Sequence, residues 1–383
     1  MLIMKKIDAP LSGTAFGHNK AGDSAYALSG ALTGEVLKPF LAQMPTEQTC
    51  TLDFTKVGSI NFSGIRALLN AREAGKRFVI SGASRRVAEL FEATGASKFI
   101  SVCRAPEALD MSQWVKSGEG HTAESFDHVD GDAMMKLYFD HIPFAAVEQE
   151  TRTAQAAFLM GIPTPMPGEM IRCGDRFGTT CERLKNNRSF SRIISDEPER
   201  LEELVVRLAK MAKKLHATPC DKAVFPSYHE KMAQIIRSLP VFTAEEKQTF
   251  LGFLNSVEDT GMCIHGDLNI SNVITDGTVD LFIDMGDFSY GNPLFDLGAI
   301  YYLSHDVYAP DCLKNYHNPK ERMAKLWAPF AREYFGADTP EKQAKIEETV
   351  RPYAAFQMMI FLRNTDCKQP VAAGLAREYM KLI

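Results

Sequence analysis

Cys263-Ile264-His265-Gly266-Asp267-Leu268-Asn269-Ile270-Ser271-Asn272 is followed by Ile283-Asp284-Met285-Gly286-Asp287, with Asp284 twelve residues beyond Asn272. Between the two segments, Asp276-Gly277 reads as a two-residue hairpin turn, because both central positions of a type I′ turn need positive φ. That turn would set Asp284 opposite Asn269 and close to both Asp267 and Asn272. Two carboxylates and a carboxamide would then gather at the open end of one hairpin. Oxygen donors of this kind suit Mg²⁺, which takes one or two carboxylates and completes its shell with water and phosphate oxygens. An acid left free of metal could accept or orient a hydroxyl proton. Taken singly, Asp267 and Asn272 are also ordinary turn caps; the full spacing is what points to chemistry.

His-Gly-Asp-Leu-Asn-x-x-Asn, then Ile-Asp-x-Gly-Asp, then Gly291-Asn-Pro-Leu-Phe-Asp296-Leu together resemble the aminoglycoside phosphotransferase family, a branch of the protein-kinase-like fold. The resemblance covers roughly residues 114 to 383. It implies that Asp267 is the catalytic base toward an acceptor hydroxyl, that Asn272 and Asp284 hold Mg²⁺, and that ATP is the phosphate donor. It also demands a glycine-rich turn upstream, a lysine on a strand, and an acid on the next helix that holds this lysine toward the phosphates. Gly118-Glu119-Gly120-His121-Thr122-Ala123 supplies Gly118 and Gly120, with Ala123 where protein kinases often place a third glycine. Lys136 lies on the strand-like run Ala133-Met-Met-Lys-Leu-Tyr138. The helical stretch after it offers Glu148 and Glu150, and the family register favours Glu150. Gly178 to Leu184 resembles the segment joining the two lobes, where adenine would bond to backbone groups near Glu182 and Leu184.

Protein kinases place Lys or Arg two residues after the catalytic Asp and run a long activation segment before the next acid. Here Asn269 holds the first position, and eleven residues separate Asp284 from Asp296. A long peptide-docking loop does not fit that interval, which favours a small-molecule hydroxyl as acceptor. Asp296 is expected to brace the hairpin, and His216 to be a packed or capping histidine. Asp287 and Tyr290 are the nearest candidates for acceptor contacts. Acidic and basic residues are balanced after Asp284, which argues against a polycationic aminoglycoside and its acidic cleft.

Upstream, Ser24 to Ser29, Thr49 to Phe54 and Arg77 to Ser81 read as strands. Leu32 to Met44, Ser63 to Ala74 and Ser84 to Thr94 carry apolar residues at helical spacing. The order strand, helix, strand, Ser-Gly turn, helix, strand, helix, with Leu52-Asp53-Phe54 and Asn61-Phe62-Ser63-Gly64, resembles a STAS domain of the anti-sigma factor antagonist type. In regulatory members a Ser in that turn is phosphorylated by a partner kinase, and by position this is Ser63. A plain N-cap serine is the other reading of the same residue. Asn61 and Phe62 depart from the regulatory motif.

The expected fold class is therefore an N-terminal α/β STAS-like domain followed by a two-lobed α+β protein-kinase-like domain. The expected domains are 1–108, 109–184 as the nucleotide-binding lobe, and 185–383 as the catalytic lobe. A length of 383 residues agrees, at roughly 100–200 residues per domain. With 43 Lys plus Arg against 48 Asp plus Glu, the net charge of −5 lacks the basic excess that nucleic-acid binding needs. No signal-like apolar core follows Met1-Leu-Ile-Met-Lys-Lys, and no run of about 18 apolar residues occurs, so a cytoplasmic protein without a membrane partner is expected. The 8 cysteines are widely spaced, neither metal-ligand pairs nor a disulfide framework. The functional expectation is an ATP- and Mg²⁺-dependent small-molecule kinase with a regulatory or docking STAS domain. The alternative is a partner-switching signalling protein whose kinase-like domain acts on a protein or only binds nucleotide.

Overall fold

A computed structural model describes residues 5–7, 25–46, 49–105, 107–120, 122–368 and 370–381. Strands β1 (Lys5–Ile7), β2 (Ala25–Leu32), β3 (Thr49–Ile60), β4 (Arg77–Ala83) and β5 (Val102–Arg104) form one sheet in that order. β1 is antiparallel to β2, and the remaining neighbours are parallel. Parallel neighbours need crossovers, and α1 (Gly34–Gln43), α2 (Phe62–Glu73) and α3 (Arg85–Ala93) supply them. Along β3 the buried residues Cys50, Leu52 and Phe54 alternate with more exposed ones, the period of two that covers one face of a strand. α3 turns Val87, Ala88 and Phe91 inward. All three strands and three helices expected from the pattern occur here, with β3 running on to Ile60; Ser24 lies outside the described residues.

One local expectation fails. The N-cap of α2 is Asn61, whose side chain accepts from the Gly64 N–H at 2.9 Å, so Ser63 sits inside the first turn. Ser63 Oγ instead donates to Asn61 Oδ1 at 2.8 Å and accepts from the Gly34 N–H at 3.0 Å. A carboxamide at position 61 takes the cap because it comes first in the chain and tolerates the extended backbone seen there, φ −107° and ψ 173°.

The second sheet comprises β6 (Glu107–Ala108), β7 (Trp114–Glu119), β8 (Ala123–His128), β9 (Ala133–Tyr138), β10 (Pro167–Cys173) and β11 (Arg176–Glu182), in the order β6-β10-β11-β9-β8-β7. α4 (Phe144–Leu159) lies between β9 and β10 in sequence, where one helix is expected. β6 pairs parallel with β10, so this sheet starts at the residues where the first one ends.

The rest is mainly helical: α5 (Phe190–Asp196), α6 (Leu201–His216), α7 (Tyr228–Ser238), α8 (Ala244–Ser256), α9 (Leu294–His305), α10 (Ala309–Tyr316), α11 (Lys320–Met323), α12 (Trp327–Phe335), α13 (Pro340–Val350), α14 (Ala354–Asn364) and α15 (Pro370–Met380). α6 buries Leu201, Leu204, Val205, Leu208, Ala212 and Leu215 at three- and four-residue spacing. α9 is buried from Phe295 to Ser304 and so lies inside the helical core. Short strands interrupt the helices: β12 (Arg188–Ser189), β13 (Met262–Ile264), β14 (Val273–Thr275), β15 (Asp280–Phe282) and β16 (Ser289–Gly291). By its contacts the chain divides into two compact units, one of residues 1–126, 135–147 and 168–180, the other of 127–134, 148–167 and 181–383. Among the described residues no helix is long and apolar enough to cross a membrane.

Candidate functional site

The hairpin forms, with a different turn. β14 and β15 pair Val273 with Phe282, Ile274 with Leu281 and Thr275 with Asp280, leaving four residues, 276–279, in the loop. Asp276 does not take positive φ; only Gly277 does, at 97°. The Asp276 carboxylate accepts from the Thr278 N–H, the Thr278 hydroxyl and the Val279 N–H, and these bonds build the turn that the backbone alone would otherwise supply. The register consequently moves by two residues, and the Ile283 N–H donates to the Asn272 carbonyl at 3.0 Å. From α6, Arg207 grips the hairpin, donating to both oxygens of Asp280 and to the Thr275 hydroxyl.

His265, fully buried, ties the two chemistry-bearing segments together. Its Nδ1 accepts from the Asp267 N–H at 3.3 Å, and its Nε2 donates to the Ile283 carbonyl at 3.0 Å. Beneath it, Asp296 accepts from the His265 N–H at 2.7 Å and the Gly266 N–H at 2.8 Å, and pairs with His216 Nε2 at 3.0 Å. His216 Nδ1 in turn meets the Tyr334 hydroxyl at 2.8 Å. Asp296 therefore braces the loop, and His216 packs behind it. Gly266 has φ +82°, and a Cβ there would overlap the Asp287 carbonyl, so only glycine fits this crossing.

Asp267 is held on both oxygens. Asn272 Nδ2 donates to its Oδ2 and to its carbonyl, each at 2.9 Å, while Gln357 Nε2 on α14 lies 3.5 Å from its Oδ1. Burial, followed by the nearby carboxylates of Asp284 and Asp287, pushes the Asp267 carboxyl up to about 6. A base poised near the working pH is what proton transfer from a hydroxyl needs. Asn269, two residues on, spends its side chain inside the loop, donating to the Asp267 carbonyl and accepting from the Ser271 N–H.

Asp284 is exposed, with a left-handed backbone, φ 62° and ψ 55°. The one-turn helix Met285–Asp287 follows it directly. Asp287 is largely buried and paired with Lys231 of α7. Burial alone would raise the Asp287 carboxyl, but Lys231 and Arg363 outweigh it and hold it below the ordinary carboxylate value. Burial pulls the Lys231 ammonium down, against the opposing charge of Asp287. Glu150 on α4 lies beside the same turn: a Cβ added at Gly286 would stand 3.1 Å from Glu150 Oε2. Glu148, two residues earlier, is buried and meets Arg152 at 3.3 Å.

Among the described residues no set of three or more His, Cys, Asp or Glu is placed to hold a metal by itself. The donors that fit a hard cation are the exposed Asp284 carboxylate and the carboxamide oxygen of Asn272, whose nitrogen is committed to Asp267. That set suits Mg²⁺, which relies on phosphate and water for the rest of its shell.

The other expected residues fall as follows. Lys136 is half-buried on β9, an interior strand, with its ammonium 5.1 Å from the Tyr138 ring centroid. Gly118 ends the edge strand β7 with Glu119, and the Gly120 N–H closes the next turn onto the Ala123 carbonyl at 2.8 Å. Glu182 is exposed; its N–H donates to the Met166 carbonyl at 2.9 Å, and its Oε2 accepts from the Met166 N–H at 3.1 Å. The Leu184 carbonyl accepts from Asn187 Nδ2 at 2.5 Å. Tyr290 sits on β16 with the Lys222 ammonium 4.9 Å from its ring centroid. Sequence reading missed Lys231, Gln357, Arg207 and Arg363, which approach from helices remote in the chain.

Comparison with known families and structures gives the following. Residues 185–326 match the family described as "Phosphotransferase enzyme family", and residues 19–102 match "Mlab, STAS domain". A choline/ethanolamine kinase family protein from Mesorhizobium loti aligns over 70% of this chain and 87% of that one, at 17% identity and a TM-score of 0.45. An aminoglycoside-3'-phosphotransferase of type VIII aligns over 60% and 90%, at 21% identity and a TM-score of 0.41. Aminoglycoside phosphotransferase APH(4)-Ia, in a ternary complex with ADP and hygromycin B, aligns over 77% and 97%, at 14% identity and a TM-score of 0.48. The search of curated proteins returned no match.

Proposed function

We propose, from the premise that residues 19–102 are a STAS domain and residues 185–326 a phosphotransferase-family domain, that this chain transfers the γ-phosphate of ATP to a hydroxyl of a small molecule in a Mg²⁺-dependent reaction. The reading divides the chain at 1–108, 109–184 and 185–383 and assigns it to the cytoplasm. The observation that carries it is Asp267, a carboxylate raised to about 6 and aimed by Asn272 and Gln357.

Asp267 takes the acceptor's proton while orienting its oxygen for in-line attack. Asn272 and Asp284 would hold Mg²⁺, which when bound offsets charge on the phosphates. Gly118 and Gly120 offer bare backbone to phosphate oxygens, and Lys136 contributes positive charge, with Glu150 its helix partner in this scheme. Backbone groups around Glu182 and Leu184 hold the adenine. A small acceptor is supported by the short path from Asp287 to α9, half of it occupied by β16 paired with β13. Asp287 is engaged by Lys231, so acceptor contacts through it and Tyr290 are the outermost part of this assignment. The STAS domain docks or regulates, and Ser63, exposed at the start of α2, is its proposed phosphate acceptor.

The test is phosphate transfer from Mg-ATP across a panel of hydroxyl metabolites, with Asp284→Ala as control. Transfer to a metabolite that disappears in the variant is expected. Labelling of proteins with no metabolite modified, or undiminished turnover in Asp284→Ala, overturns the reading.

A further inference from the structure

Asp284 carries an unusual backbone for a side chain expected to meet a metal. Non-glycine residues in the left-handed region are strained and persist only where surrounding structure over-determines them. The turn Asp284–Asp287 is held at its start by His265, whose Nε2 donates to the Ile283 carbonyl at 3.0 Å. Its end is held by Lys231, whose ammonium pairs with Asp287 Oδ1. Both partners are nearly sealed, with side-chain exposures of 8% for Lys231 and 11% for Asp287. A buried ion pair is poor value as a stabiliser, since apolar side chains of similar volume often serve the fold as well or better. Its geometry, however, is specific in a way that apolar packing is not.

We infer that Lys231 is a positioning residue for the metal site: by gripping Asp287 it keeps the Asp284–Asp287 turn in the conformation that points Asp284 at Mg²⁺. The inference rests on the phosphotransferase reading above. Lys231 touches neither nucleotide nor acceptor in this scheme and acts through Asp287. Asn269 cannot take this part, because its side chain is consumed within its own loop.

The experiment is calorimetric titration of the full chain with a non-hydrolysable ATP analogue, with and without Mg²⁺, alongside thermal unfolding. Wild type is compared with Lys231→Met/Asp287→Leu, which replaces the ion pair by apolar side chains. Partners behind a metal ligand typically cost about 10–100-fold in metal affinity when replaced. The expected result is that the Mg²⁺-dependent gain in nucleotide affinity falls by about tenfold or more, while metal-free binding stays within about twofold and thermal stability is kept. A double variant that retains the full gain overturns the inference. If the double variant does not fold, Asp287→Asn, which keeps an acceptor for the ammonium, is compared with Asp287→Ala, which does not. Retention by Asn and loss by Ala supports the inference; equal behaviour overturns it. A wild-type chain with no Mg²⁺-dependent gain would instead overturn the phosphotransferase reading itself.

Discussion

At Asp296, two backbone N–H groups and one imidazole converge on a single buried carboxylate. Burial would raise its carboxyl, but His216, His265 and the donated hydrogen bonds hold it below the ordinary value of 3.8. A carboxyl depressed in the folded state stabilises the fold at pH above its unfolded value, and that contribution is lost as pH falls through the folded one. Asp296→Asn presents an amide nitrogen to at least one of those donors, leaving a buried N–H unanswered. We expect a loss on the order of 2–4 kcal/mol at neutral pH, read from urea unfolding. The sign of the pH dependence follows. The gap between wild type and Asp296→Asn should be widest near pH 7 and narrow below about pH 4, as the wild-type carboxylate takes up its proton. A gap that widens in acid would mean that charge on Asp296 is not what holds His265 and Gly266. The family resemblance led to Asp296 being expected as a brace, but said nothing of its partners. His216 and Tyr334 arrive on α6 and α12, and nothing in a helical pattern says which polar residue meets which loop.

Among the elements, the β14–β15 hairpin shows why a wrong turn left the site readable. The dipeptide Asp276-Gly277 signals a type I′ turn, yet the Asp276 side chain supplies enough local hydrogen bonds to close a four-residue loop instead. The register moved by two, which is the strand period, so the residues kept their faces and Asp284 stayed with the Asp267 and Asn272 segment. A slip of one would have turned Asp284 to the other face. β13 and β16 were not legible, because three-residue strands are too short to show alternation and, unlike β14 and β15, no turn dipeptide joins them. The helix α2 offers a test of the same kind of local chemistry. Asn61 is its cap, so Asn61→Ala should cost about 1 kcal/mol by losing the bond to the Gly64 N–H. Ser63→Ala should cost less than half of that, since its hydroxyl is exposed and water can replace it. Chemical unfolding of the two variants decides it; equal losses would return the cap to Ser63.

For the whole molecule, the buried apolar residues fall into separate clusters, and that separation can be measured. One hydrophobic cluster gathers Leu28 through Ile100, including Leu52, Phe54, Phe78 and Phe91, with no buried member from beyond Ile100. A separate and larger cluster runs from Ala157 to Met380 and contains Phe190, Leu268, Phe295 and Phe356. Cores that share no residue need not melt together, so two calorimetric transitions are expected rather than one. Asn61→Ala marks the first of them, since it should move only the transition of the N-terminal core. A ligand that binds only the folded state stabilises by about 2.7 kcal/mol at a hundredfold excess over its Kd. Mg²⁺ with a non-hydrolysable ATP analogue should therefore raise the other transition by several degrees and leave the one marked by Asn61→Ala in place. If nucleotide moved the N-terminal transition equally, the two cores would be energetically coupled, and the STAS domain would have to be counted as part of the nucleotide-binding machinery.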